Sequence, residues 1–187
     1  LFENPYTNPE HFPQLVNANY LQAAKDAAIR SCVLLKNDQN ILPLSRDELS
    51  SVAVIGPLAD DGYEQLGTWV FDGEAHHSHT CLQSVHHLVG QNLDVRWAQG
   101  MQSSRCRDDG GHQEAIQLAQ DSDIAIMFMG EESILSGEAH CRAEINLPGN
   151  QEALIEQVAA TGTPIVLVVM AGRPLTLSPI LDKVAAV

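Results

Sequence analysis

A chain of 187 residues with 44% hydrophobic side chains can close one core, and its composition is neither disordered nor collagenous. Ten Lys plus Arg against 24 Asp plus Glu leave a formal net charge of −14, which argues against nucleic acid and anionic membrane surfaces as partners, because both bind through clustered cations. No apolar run approaches the roughly 18 residues of a membrane-spanning helix.

The chain opens Leu1-Phe2-Glu3-Asn4-Pro5-Tyr6, without an initiating Met or a signal peptide, as if cut from something longer. Residues 1–13 are rich in Pro, Asn and aromatics and read as a linker lying along a surface. Asn17 is placed to cap a helix through Arg30, with Leu21, Ala24, Ala28 and Ile29 on one face. Ser31-Cys32-Val33-Leu34-Leu35 reads as a short strand with Cys32 a small buried hydrophobe. Lys36-Asn37-Asp38-Gln39-Asn40 is a turn, left in extended conformation by Ile41-Leu42-Pro43-Leu44.

Ser51-Val52-Ala53-Val54-Ile55 is β-branched, apolar and ended by Gly56-Pro57, the pattern of a buried strand. The loop over 58–79 is long for a compact α/β domain, and such loops are more often functional than not. Residues 80–89 predict a helix through Leu82, Val85 and Leu88, stopped by Gly90. Residues 93–98 alternate like an edge strand, 100–111 form a loop, and 112–120 predict a helix through Ala115, Ile116 and Ala119.

Two short apolar runs follow, Ile124-Ala125-Ile126-Met127-Phe128-Met129 and Ile165-Val166-Leu167-Val168-Val169-Met170, with a helix starting after Pro148-Gly149-Asn150-Gln151 between them. This is a βαβ unit with both strands buried in a parallel sheet. Ligands of open α/β sheets bind beyond the carboxyl ends of the strands. The segment leaving the first run there, residues 131–142, is polar, carboxylate-rich and hinged by Gly137. Leu177 to Asp182 predict a short helical turn, and Val184-Ala185-Ala186-Val187 begin another strand whose edge would lie uncovered.

Glu138, in Ser136-Gly137-Glu138-Ala139-His140, is the candidate for chemistry. A carboxylic acid on a glycine-preceded loop can be carried over a bound substrate, partly desolvated and raised in pKa, as a general acid requires. The plain alternative is a solvated loop glutamate. His76, His77, His79, His86 and His87 read as loop and surface histidines, since no carboxylate or thiolate stands at a recognised ligand spacing; no metal is assigned. No GxGxxG follows Gly56-Pro57 and no Gly-x-Ser-x-Gly occurs, so neither a dinucleotide cofactor nor a nucleophile elbow is implied. Trp69 has two readings, a platform for a sugar ring or a staple of its loop to the core. The four cysteines form no zinc spacing; a Cys106–Cys141 disulfide is one pairing open to an exported protein.

Six strings occur in order: Ser31-Cys32-Val33-Leu34-Leu35-Lys36-Asn37 with Leu42-Pro43-Leu44, Val52-Ala53-Val54-Ile55-Gly56-Pro57, Leu66-Gly67-Thr68-Trp69, Ser136-Gly137-Glu138, Leu147-Pro148-Gly149-Asn150-Gln151 and Gly172-Arg173-Pro174-Leu175. Together they resemble the second domain of glycoside hydrolase family 3, the β-glucosidase-like enzymes, nearest the bacterial periplasmic type. The resemblance implies a three-layer α/β/α sandwich with a mostly parallel, flavodoxin-like sheet over residues 17–187, truncated at its C-terminal end. It also implies that residues 1–16 are the linker from a missing N-terminal barrel. In that family the barrel supplies an aspartate nucleophile and the second domain lends a loop glutamate as acid/base. The matching residue is Glu138, with Trp69 and Arg142 at the sugar site, Arg142 orienting the loop or pairing with a carboxylate. The expected partners are a β-glucoside and the barrel, the expected location periplasmic or secreted, and no cofactor is needed. Without its barrel the chain is expected to be catalytically silent; the competing function is a carbohydrate- or protein-binding module without chemistry.

Overall fold

The computed structural model describes residues 2–11 and 17–187; Leu1 and residues 12–16 of the expected linker lie outside the described residues. The chain divides into two compact units, residues 1–34 and 35–187.

In the first unit a 3-10 turn at Pro9–His11 precedes helix α1, Ala18–Ser31. The Asn17 side chain accepts from the N–H groups of Asn19 and Tyr20, satisfying two of the donors a helix start leaves free. The expected apolar face is not buried: Leu21 and Ile29 are exposed, as is every residue of the helix. The strand expected over Ser31 to Leu35 is absent, and Cys32 is exposed rather than buried. A β-branched run becomes a strand only where a neighbour supplies its hydrogen bonds. Here the pairing starts later, in the second unit: the Leu35 and Lys36 N–H groups donate to Val187 O, and that of Asp38 to Ala185 O.

The second unit is built on β1 (Ser51–Ile55), β2 (Asp94–Ala98), β3 (Ile124–Gly130) and β4 (Ile165–Met170). They form one all-parallel sheet in the order β2-β1-β3-β4. Side chains alternate across it. Val52 and Val54 of β1 face Ile124, Phe128 and Val166, a layer covered by Leu82 and Val85 of α2 (Cys81–Val89) and by Ile41, Leu42 and Leu44. Ala53 and Ile55 face the other layer, where α3 (His112–Gln120) and α4 (Gln151–Ala159) bury Ala115, Leu118, Leu154, Ile155 and Val158. The arrangement is the expected three-layer α/β/α sandwich with flavodoxin-like strand order.

The helices obey local rules. Thr80 caps α2 by accepting from Gln83 N–H, and the Gln83 side chain returns the bond to Thr80 N–H. β2, the expected edge strand, is at the edge. Residues 184–187 run beside β4, with Leu167 N–H donating to Ala186 O at 2.9 Å and Ala185 N–H to Ile165 O at 2.8 Å. Their outer side is covered by residues 35–38, and Lys36 Nζ ties down the Leu181 and Val184 carbonyls. That edge is therefore partly covered, where the sequence suggested an open one.

Leu154 is fully buried between α4 and the sheet. Leu154→Ala is expected to lower the free energy of unfolding by about 2–5 kcal/mol in denaturant titration; a loss under about 1 kcal/mol would mean that α4 does not bear on the core.

Candidate active site at the carboxyl edge of the sheet

The strand order reverses direction between β1 and β3: β2 lies to one side of β1, and the chain then crosses to β3 and β4 on the other. Loops leaving β1 and β3 diverge at such a point and leave a crevice beyond the strand ends. Both strands end in glycine of positive φ, Gly56 at +128° and Gly130 at +137°. A Cβ at Gly56 would collide with the backbone of Phe128, and one at Gly130 with that of Met170, so only glycine lets the chain leave here so close to its neighbour.

The residue after Gly130 is Glu131, whose side chain has no exposed surface. Its carboxylate accepts from Arg142 Nη1 on one oxygen and from Arg173 Nε on the other, at 3.2 Å. The arginines go further. Arg142 Nη2 donates to Asn146 O at 2.9 Å, and Arg173 Nη2 to the Leu135 carbonyl. One buried charge thus ties both ends of the 131–146 loop to the chain after β4. Beside it, buried Gln151 accepts from Gly130 N–H at 2.7 Å and donates to the carbonyls of Gly130, Ser104 and Pro148. Glu132 accepts from Ser104 Oγ at 2.6 Å and from Arg105 Nε at 3.0 Å. Burial pushes the Glu132 carboxyl up, but these hydrogen bonds and the Arg105 charge outweigh it and hold it below the usual glutamate range.

The far part of the loop is fastened to the connection after β1. Thr68 Oγ1 bonds the carbonyls of Ser133 and Ser136 and meets Ser136 Oγ at 2.9 Å. The Glu64 carboxylate accepts from Ser133 N–H. Gly137 lies against Thr68 Cγ2 and Gly172 against Ser136 Oγ, so a Cβ at either would overlap them. Past these fastenings the chain makes a tight turn closed by His140 N–H donating to Gly137 O at 3.1 Å, with Ala139 at a φ of +63°. Glu138 sits at its tip, exposed. A cleft of about 370 Å³ adjoins the turn, lined by Tyr63, Thr68, Arg105, Glu132, Ile134 and His140 among others. A larger recess, about 470 Å³, opens instead beside Pro164 and Ile165 at the amino end of β4, away from the edge where α/β sheets hold ligands.

Residues 32–187 match the profile of the Glycosyl hydrolase family 3 C-terminal domain. The chain belongs to this family. It is 33% identical to the periplasmic beta-glucosidase of Salmonella typhimurium over 95% of its own length and 26% of that protein's. It is 35% identical to the exo-1,4-beta-xylosidase xlnD of Emericella nidulans over 86% of its length and 19% of that relative's. Among solved structures, the beta-glucosidase of Listeria innocua in complex with isofagomine superposes with a TM-score of 0.87 at 25% identity, covering 99% of this chain and 25% of that one. The family 3 exo-beta-xylosidase XlnD in complex with a xylobiose aziridine probe gives 0.80 at 34% identity, over 90% and 21%. The chain spans about a quarter of the length of the curated relatives it matches.

In this family 3 domain the expected site residues do not converge on one point. Glu138 is at the rim, outside the cleft lining. Trp69 is 64% exposed, so it does not staple its loop to the core. Arg142 pairs with a carboxylate, that of Glu131. Cys106 and Cys141 are free thiols, not a disulfide; the Cys106 thiol donates to Asp108 at 2.8 Å and lowers that carboxyl's pKa. Sequence reasoning missed Glu131 as the anchor, together with Thr68, Gln151, Arg105 and Arg173. The motifs Leu66-Gly67-Thr68-Trp69, Pro148-Gly149-Asn150-Gln151 and Gly172-Arg173-Pro174 contained three of them.

Thr68→Val keeps the shape but removes the hydroxyl that bonds the Ser133 and Ser136 carbonyls. It is expected to cost about 1–3 kcal/mol and to speed amide exchange over 133–140 more than in the sheet; uniform exchange would mean that Thr68 does not hold this loop. Because Glu132 has a lowered pKa when folded, its contribution is present above the unfolded value of about 4.3 and disappears as pH falls through the folded one. Glu132→Gln should therefore flatten the acid limb of the stability profile below about pH 4.5, an outcome read from melting temperature against pH.

Proposed function

We propose that this chain is the acid/base-bearing second domain of a retaining β-glycosidase acting on terminal β-D-glucosides, and that Glu138 is its acid/base. The observation that carries this reading is the build of the Glu138 turn. Its root is fastened by Glu131, Arg173 and Thr68, while the tip stays exposed beyond the carboxyl end of β3. A general acid needs that combination, fixed in place yet able to meet a substrate presented from outside the domain. The nucleophile and most of the sugar pocket then belong to a barrel joined through residues 1–16. In a retaining enzyme the two carboxyl groups stand about 5–5.5 Å apart, one attacking the anomeric carbon while Glu138 protonates the leaving oxygen and later activates water. Arg142 serves here as a loop-holding residue, and Trp69, projecting beside Thr68, as a face for the sugar ring.

Relatives named as xylosidases stand beside those named as glucosidases. The glucoside reading is supported by the Salmonella typhimurium relative named as a beta-glucosidase, which matches 95% of this chain. A periplasmic or secreted location is supported by the Salmonella typhimurium relative, which is named as periplasmic; no helix among the described residues is long and apolar enough to cross a membrane.

In the full-length enzyme, Glu138→Gln is expected to slow cleavage of alkyl glucosides about 10²–10⁴-fold and that of dinitrophenyl glucoside far less. Equal slowing of both removes the acid assignment. The 187-residue chain alone is expected to show no turnover of aryl β-glucosides, since a single carboxylate cannot form the glycosyl-enzyme; turnover abolished by Glu138→Gln would refute this.

A further inference from the structure

The histidines of the β1–α2 connection take no part in the site above, and the fold gives two of them a partner that spacing did not reveal. Glu74 precedes a 3-10 turn, Ala75–His77, closed by His77 N–H donating to Glu74 O at 3.0 Å. The turn brings the Glu74 Oε2 atom to 3.3 Å from His76 Nε2 and 3.6 Å from His77 Nε2. All three donor atoms lie within 4.8 Å of one another. A tetrahedral zinc ion with bonds of about 2.0–2.2 Å has edges of roughly 3.3–3.6 Å between its ligand atoms. The two carboxylate–imidazole distances match two such edges.

Two further observations favour a cation here over a plain surface ion pair. The turn is held from behind: Gly62 packs so closely on Ala75 O that a Cβ would reach 2.9 Å from it, and Gln65 Nε2 donates to His79 O at 2.7 Å. The three donors thus sit on a fastened backbone, while their side chains face solvent, 63–75% exposed, open to an ion from solution. The charge pattern is also one-sided, because residues 47–95 contain no Lys or Arg but carry Asp47, Glu48, Asp60, Asp61, Glu64, Asp72, Glu74 and Asp94. Such a segment attracts divalent cations and supplies no competing ammonium or guanidinium nearby.

We propose that Glu74, His76 and His77 form a binding site for a borderline divalent ion of the Zn²⁺ class, with the fourth position left to water. Two imidazoles and one carboxylate suit zinc better than calcium or magnesium, which take all-oxygen shells. Bound there, the ion closes a ring across the turn and stiffens the connection that also carries Thr68 and Trp69. The site is independent of the glycosidase reading.

The test is calorimetric titration of the tag-free, full-length protein with zinc chloride, repeated on Glu74→Gln, His77→Ala and a His86→Ala/His87→Ala control. The expected result is one saturable Zn²⁺ site per chain, weakened at least tenfold in Glu74→Gln and in His77→Ala and unchanged in the control. Zinc should also raise the melting temperature of the parent protein but not of His77→Ala. Absence of saturable binding, unchanged affinity in His77→Ala, or loss in the control would each overturn the proposal. All the substituted side chains are exposed, so melting in zinc-free buffer verifies that the variants fold.

Discussion

The carboxylate of Glu131, sealed between two guanidinium groups, is the constraint on which the carboxyl edge of this domain depends. A lone carboxylate in that position would be driven out or neutralised. Paired on both oxygens it is tolerated, although such pairs add little to net stability compared with apolar packing. What the pair supplies is direction. It is satisfied by Arg142 from within its own loop and by Arg173 reaching across from the chain after β4. Removing either arginine would leave a buried charge half-compensated, so the loop after β3 has few alternative conformations.

From that anchor a continuous polar layer spreads along the strand ends. Gln151 satisfies both backbone groups of Gly130, Ser104 links Gln151 to Glu132, and Arg105 closes on Glu132 from the rim. Such layers are effective when every member is satisfied and harmful when one is not. The 131–146 loop is therefore rigid at its root for a different reason from the sheet below it. The sheet is held by apolar packing on two faces, and the loop by charge and hydrogen bonds that must all be made together.

The tip is governed by the opposite rule. Beyond the Thr68 clamp the Gly137–His140 turn is closed by one backbone bond, its His140 end is tied to the Ser136 carbonyl and to Arg173, and nothing is buried at Glu138. Local stability falls where buried contacts and bonds run out. This gradient, from sealed ion pairs to an unburied carboxylate within seven residues of sequence, suits a group that works against a surface outside its own domain. The relatives, about four times longer than this chain, leave room for such a surface.

Much of the fold was legible because it is local. Runs such as Val52 to Ile55 and Ile124 to Met129 are apolar on both faces, as buried parallel strands must be, and the Asn17 cap acts within three residues. Glu138 stood out through its glycine hinge and neighbouring residues. The reading failed where the outcome depended on a distant partner. Ser31 to Leu35 has strand-forming residues but no ladder to join, and Cys32 stays exposed. Nothing in the spacing separates Glu131, buried beside an arginine 42 positions away, from Glu138, which is exposed. Thr68 meets Ser136 across 68 residues. The sequence by itself determined the buried parallel strands and the helices between them, because their signals lie within each segment. Tertiary structure alone decided which carboxylate is an anchor and which is free, because burial and charge pairing belong to the assembled edge and not to any stretch of it.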